Sequence, residues 1–172
     1  QVSIDNKHER YQQMLGMVKG LEPIPTAVAH PCDKESLKGP VIAFQEGIIE
    51  PILVGPESKI RSVAEEFGID LHGIRIVNAR HSHDSAAISV SLVRTGDAEA
   101  LMKGSLHTDE LMGEVVSRAN GLRTSRRISH VFLMNVPTYH RPLLITDAAI
   151  NIAPTLEDKA DIIRNAIDLA HI

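Results

Sequence analysis

Tryptophan is absent, and Phe and Tyr together make up only 3% of the residues. That excludes the aromatic platforms on which bases stack in single-strand nucleic-acid binders. A strong excess of either charge is also lacking: the formal net charge is −4 and the pI is near 6.1. The basic pair Arg126-Arg127 is too local to form a stripe that follows a phosphate backbone. Cys32 is the single cysteine, so neither an internal disulfide nor a thiolate metal cluster can form, which fits a reducing cytoplasm. No apolar run approaches the roughly 20 residues that a membrane span needs. The N-terminal residues are polar rather than signal-like. Nucleic acid and membrane are therefore not expected partners. Internal repeats and low-complexity tracts are lacking as well.

What is present is an ordinary globular composition, 43% apolar and 23% charged over 172 residues, enough for one good core or one core plus part of a second. Helical spacing of Tyr11, Met14, Leu15 and Val18 predicts a helix over 5–19, stopped by Gly20. Short apolar runs predict strands at 26–30 (TAVAH), 50–55 (EPILVG), 74–78 (IRIVN) and 98–102 (AEALM). Between them lie helix patterns at 34–46, with Asp33 as N-cap and Gly47 as stop, at 57–67, opened by Pro56 and closed by Gly68, and at 84–94. Strands alternating with helices of about a dozen residues argue for βαβ units. Their continuous apolar runs are those of parallel strands covered on both faces.

The pattern changes after the fourth strand. A small-residue turn, Lys103-Gly104-Ser105, leads through His107-Thr108-Asp109 into a helix expected to reach about Arg118, ended by Gly121. A strand that runs into a Gly/Ser turn and a helix N-terminus favours anions, because free N–H groups and the helix dipole point outward there. Two strands then follow in succession, at 128–136 and 143–150, with a hairpin-like connection from Pro137 to Pro142. A change of domain is expected near residue 125, which makes 1–125 an α/β domain and 126–172 the start of an incomplete second one. The amphipathic segment from Thr155 to the end is a helix, with Asp158 completing a capping box.

The runs LMKGSLHTDELMG, GLRTSRRISHVFLMNVP, RPLLITDAAINIAPTLEDK and IIRNAIDLAHI resemble the phosphate acetyl/butyryltransferases. They look most like the butyryl branch and the phosphotransacylase half of enoyl-CoA hydratase fusions. Upstream, PTAVAHPCD and EPILVGPESKI resemble the first two strand–turn units of that family, so the resemblance runs from about Thr26 onward. It implies a three-layer α/β fold of the isocitrate/isopropylmalate dehydrogenase type, with an active site between two domains. The implied reaction transfers an acyl group between coenzyme A and inorganic phosphate, with coenzyme A as substrate and no metal or prosthetic group. The resemblance also implies that this chain holds the first domain and the opening of the second. The family's later half supplies much of the coenzyme A surface, a catalytic carboxylate and a Ser/Arg pair. Family members commonly carry a phosphate-binding Arg in a Leu-Arg pair on the helix after the KGSLHT turn. Here Met112 follows Leu111, and Arg123 or another nearby cation is the substitute.

Within that reaction the candidate catalytic residues are Ser105, His107 and Asp147. The candidate substrate-binding residues are Lys103, Gly104, Thr108, Arg123, Arg127 and Asn151. Gly104, Ser105 and Thr108 offer a turn with two hydroxyls for a phosphate or an oxyanion, or a strand–helix turn that needs glycine for its shape alone. Lys103 is a phosphate counter-ion or a solvated lysine. His107 donates to the oxyanion or caps the helix. Arg123 and Arg127 suit phosphate through their guanidinium geometry, or else form a solvated face. Asp147, with Asn151 four residues on, orients a catalytic group or holds a turn. His130 reads as a hydrogen-bonded core or interface histidine. The His81-Ser82-His83-Asp84 run reads as a capping turn rather than a metal site, and Cys32 as incidental.

A non-catalytic acyl-CoA-binding or oligomerisation module of the same fold is the alternative function. A related dehydrogenase is disfavoured, because no GxGxxG turn follows the first strand and no metal-binding carboxylate set is evident. The exposed hairpin and half-built domain predict a homo-oligomer, most simply a homodimer.

Overall fold

In the computed structural model, residues 6–136 and 138–172 are described, with side chains from residue 12 onward. The predicted helix start at Asp5, the Tyr11 side chain and Pro137 of the hairpin connection lie outside the described residues. The chain divides into two compact units. One is Lys19–Arg123; the other joins Thr124–Ile172 with helix α1 (Asn6–Val18).

In the larger unit, strands β1 (Ile24–Ala29), β2 (Ile49–Gly55), β3 (Arg75–Asn78) and β4 (Ala100–Lys103) form one parallel sheet in the order β3-β2-β1-β4. Helices α2 (Lys34–Gln45) and α3 (Glu57–Phe67) carry the chain outward from β1 to β3. Helix α4 (Ser82–Thr95) then returns it to the far side of β1, and α5 (Thr108–Val115) follows β4. Side-chain alternation divides the core accordingly. Val28 and Leu53 pack with Leu37 and Ile60 of α2 and α3. Ala27, Ile52 and Val54 pack with Ile88 and Leu92 of α4 on the opposite face, and Ala29 packs there with Ala86, Val90 and Leu111. This is the α/β sheet covered on both faces that the apolar runs predict.

The caps are largely those expected. Asp33 accepts the Ser36 N–H at 2.9 Å, and Gly68 ends α3 in the left-handed conformation; Gly96, not anticipated, does the same for α4. Pro56 sits at the N-cap of α3 rather than inside its first turn. Helix α5 stops at Val115, short of the expected Arg118. The chain folds back there, and the Leu122 N–H bonds the Val115 carbonyl at 2.8 Å. Gly121 is therefore not a cap. It lies so close to the end of α5 that an added Cβ would meet the Val115 oxygen at 2.4 Å.

In the smaller unit, β5 (Val131–Met134) and β6 (Leu143–Thr146) pair antiparallel, with Val131 opposite Thr146. Helix α6 (Leu156–Ala170) buries Ile162. Thr155 and Asp158 form the predicted capping box. Both strands are shorter than their apolar runs. Ahead of β5, the His130 N–H donates to the Asp147 side chain, the Ile128 carbonyl accepts from the Asn151 side chain and the His130 carbonyl accepts the Thr146 hydroxyl, in place of backbone pairing. Phe132, Leu133, Met134 and Ile145 are exposed on the hairpin.

Candidate functional site

The strand order of the larger unit reverses at β1 and β4, and in open α/β sheets ligands collect at the carboxyl ends of strands at such a switch point. Here that edge is where the turn after β4 meets the turn after β1. The Gly104 N–H bonds the Ala29 carbonyl at 2.8 Å, and the Ser105 N–H bonds the His30 carbonyl at 2.9 Å. The Ser105 hydroxyl donates to the same carbonyl at 2.9 Å and accepts the Cys32 N–H at 3.1 Å. Gly104 is required because the two backbones touch: a Cβ there would lie 2.4 Å from the Ala29 oxygen and 2.6 Å from the His30 oxygen.

These bonds revise the expected anion site. The N–H groups of Gly104 and Ser105 are not free; they stitch β4 to β1. The Ser105 hydroxyl, a catalytic candidate, both donates and accepts within the protein. In the first turn of α5 the Thr108 and Asp109 amides donate to no protein acceptor among the described residues, as helix geometry dictates. His107 stands at the α5 N-cap, and its N–H donates to Glu110 Oε2 at 3.3 Å. His107 and Thr108 are exposed beside this turn. Lys103 is exposed and reaches back to the Gly104 carbonyl at 3.2 Å.

Glu110 and His30 complete the surroundings, and the sequence reading passed over both as site residues. Glu110 Oε1 accepts the Ser82 hydroxyl at 3.1 Å and lies 3.1 Å from His83 Nε2, so it ties the start of α4 to the start of α5. His81 is the N-cap of α4, accepting the Asp84 N–H at 3.2 Å, as the capping reading expects. No three His, Cys, Asp or Glu side chains converge as a metal site among the described residues. Burial pushes the Cys32 thiol up, against the pull of Lys59, so it stays a neutral thiol. The capping spacing from His107 to Glu110 was the available signal for Glu110. A histidine ending an apolar strand before a proline was the signal for His30.

The second group of candidates lies in the smaller unit. Asp147 Oδ1 accepts the His130 N–H at 2.8 Å, and Oδ2 accepts the Asn151 N–H at 2.7 Å and its amide at 2.5 Å. Burial alone would raise the Asp147 pKa, but these donors outweigh it and hold the carboxyl at about 2. A carboxylate so satisfied is a weak proton acceptor. Its work is to hold the end of the hairpin. Asn151 donates to the Ile128 carbonyl at 2.9 Å and accepts Arg127 Nε at 2.7 Å. Arg127 is further held 3.8 Å from Asp158, so its guanidinium is engaged within the unit. Arg123, in the larger unit, is exposed and has no described partner. His130 stacks edge-on against Phe132, and its buried Nδ1 has no hydrogen-bond partner among the described residues.

Fold and turn together define an open-sheet α/β protein whose strand ends meet at a polar switch point. Residues 80–172 match the family model described as phosphate acetyl/butaryl transferase, and the chain belongs to that family. It is 55% identical over 168 residues to a phosphate acetyltransferase of Rickettsia prowazekii, covering 98% of this chain and 48% of that protein. It is 35% identical to a phosphate butyryltransferase of Clostridium acetobutylicum, covering 94% of this chain and 54% of that protein. Among solved structures, a phosphotransacetylase from Streptococcus pyogenes matches the fold with a TM-score of 0.76 at 20% identity, over 94% of this chain and 56% of that one. A branched-chain phosphotransacylase from Enterococcus faecalis matches at a TM-score of 0.66 and 26% identity, over 86% and 51%. The chain thus spans about half the length of the curated relatives it matches.

Proposed function

We propose that this chain carries the phosphate side of an acyltransferase that moves an acyl group from coenzyme A to inorganic phosphate. The single observation that carries the reading is the 55% identity to a protein named phosphate acetyltransferase, sustained over nearly the whole chain. The identities, 55% against 35%, favour acetyl over butyryl as the acyl group.

A phosphate oxygen attacks the thioester carbonyl, a C–O bond forms, and the tetrahedral oxyanion collapses with loss of the thiolate, which takes a proton. Two anionic reactants must be held together, so neutralisation and proximity are the protein's main contributions. The Thr108 hydroxyl and the free amides of Thr108 and Asp109 are the donors we assign to phosphate, with Lys103 and Arg123 as cations. His107 is the donor we assign to the oxyanion. Gly104 and Ser105 shape the turn, and Asp147, Asn151 and Arg127 hold the hairpin end. The acyl carbon changes no oxidation state, so this reading includes no resident redox group; coenzyme A is a substrate. The two-domain type seen in isocitrate/isopropylmalate dehydrogenases, a homo-oligomeric state and a cytoplasmic location belong to the same reading. The exposed apolar hairpin residues and the single cysteine support the last two.

The test is release of coenzyme A from acetyl-CoA and butyryl-CoA, with and without phosphate or arsenate, by this chain and by a version extended to the length of its relatives. Phosphate-dependent release by either, faster with acetyl-CoA, is the expected result. Release by neither, with acyl-CoA still bound, would replace this reading with a binding module.

A further inference from the structure

His30 is the one residue other than glycine that adopts a left-handed backbone among the described residues, with φ at 57°. A side chain at such an angle costs roughly 1–2 kcal/mol, so other contacts must over-determine it. The residue is buried, 8% exposed, and its ring Nδ1 lies 3.0 Å from the Ser85 hydroxyl. That hydroxyl has one proton and donates it to the His81 carbonyl at 2.8 Å. Ser85 can therefore only accept from the ring, which makes His30 Nδ1 the donor and leaves Nε2 unprotonated in the neutral imidazole. Burial first, then the charge of Lys59, lowers the pKa of this ring against the opposing pull of Glu110 and keeps it neutral.

The backbone of the same residue does a second job. Its carbonyl accepts the Ser105 N–H, the Ser105 hydroxyl and the Cys32 N–H. His30 thus joins three turns: its own after β1, the one before α4 through Ser85 and His81, and the one after β4 through Ser105. Glu110 closes the circuit from Ser82 and His83 back to the His107 N–H. We infer that His30 is a positioning residue for phosphate: its ring, anchored on Ser85, fixes the left-handed backbone that holds the β4–α5 turn in its binding geometry. This role rests on the acyltransferase reading and names a residue outside the groups assigned to contact substrate.

The test uses the 172-residue chain and inorganic phosphate as the probe. Imidazole nitrogen shifts report the tautomer, backbone amide shifts of 105–109 report the phosphate dissociation constant, and an unfolding midpoint is taken for each variant. Nδ1 is expected to be protonated. His30→Gly, which accepts the backbone angle but lacks the ring, and Ser85→Ala, which removes the ring's acceptor together with its bond to the His81 carbonyl, are expected to weaken phosphate binding about tenfold or more, since small misplacements of a binding group are costly. His30→Asn tolerates the left-handed angle and keeps a donor near Ser85, so it should bind within about threefold of wild type. Unchanged phosphate binding in both His30→Gly and Ser85→Ala would overturn the inference and leave the acyltransferase reading standing, as would an Nε2-protonated ring. Absence of saturable phosphate shifts in the wild-type chain would instead defeat the reading on which the inference rests.

Discussion

Replacing Gly104 with alanine tests the stitched geometry of the switch point. The new Cβ would lie 2.4 Å from the Ala29 oxygen and 2.6 Å from the His30 oxygen, where 3.0 Å is the practical limit. Both obstacles are backbone atoms, so no rotamer change relieves them. The β4 turn must retreat from β1 by at least about 0.6 Å, the difference between 3.0 and 2.4. That retreat strains or breaks the Gly104–Ala29 and Ser105–His30 backbone bonds. Each is worth roughly 1 kcal/mol net, and overpacking adds roughly 1–3 kcal/mol. The expected loss is about 3–5 kcal/mol, read by urea unfolding followed by circular dichroism. Gly113→Ala is the internal control. Gly113 lies within α5 with nothing inside 4 Å of an added Cβ, so alanine there should stabilise by about 0.5–1 kcal/mol. A Gly104→Ala variant within about 0.5 kcal/mol of wild type would refute the close-approach reasoning, because ordinary surface changes fall in that range.

Further outcomes follow from the smaller unit and the core. The Asp147 carboxyl, at about 2 when folded, adds stability above its ordinary value of about 3.9 and loses it as the pH falls toward 2. Asp147→Asn should therefore flatten the acid limb of the stability curve between those values. Asp33, Asp84 and Asp158 are also held low by hydrogen bonds and keep their own slope, so the difference between the two proteins is the quantity to read. An identical acid limb in the variant would contradict the role given to the carboxylate. Thr155→Ala removes the capping box at α6 and should cost about 1 kcal/mol in thermal or urea unfolding. Leu53→Ala, fully buried between β1 and the helices, should cost about 2–5 kcal/mol by the same assay.

Much of the fold is legible in the sequence because its signals are local. Apolar runs such as TAVAH and EPILVG mark β1 and β2, and Asp33, Gly68 and Thr155 act at the helix ends they flank. The misplaced boundaries arise where a distant group takes over the backbone. Residues 128–130 read as strand from their apolar neighbours, yet the Asp147 and Asn151 side chains take the His130 N–H and the Ile128 carbonyl. Gly121 reads as a helix stop, yet it serves a close approach to a carbonyl six residues back. The candidate site is legible as a place but not as a set of bonds. KGSLHT announces a turn at a strand end. That the Ser105 hydroxyl is taken by His30, 75 residues earlier, and the His30 ring by Ser85, 55 residues later, depends on strand order, which no local pattern encodes.

The most direct test of the central claim is to map where inorganic phosphate binds on the labelled 172-residue chain. Saturable amide shifts confined to the β4–α5 turn are expected, largest at Thr108 and Asp109, whose N–H groups have no protein acceptor among the described residues. Saturable shifts elsewhere, with the turn unmoved, would contradict it.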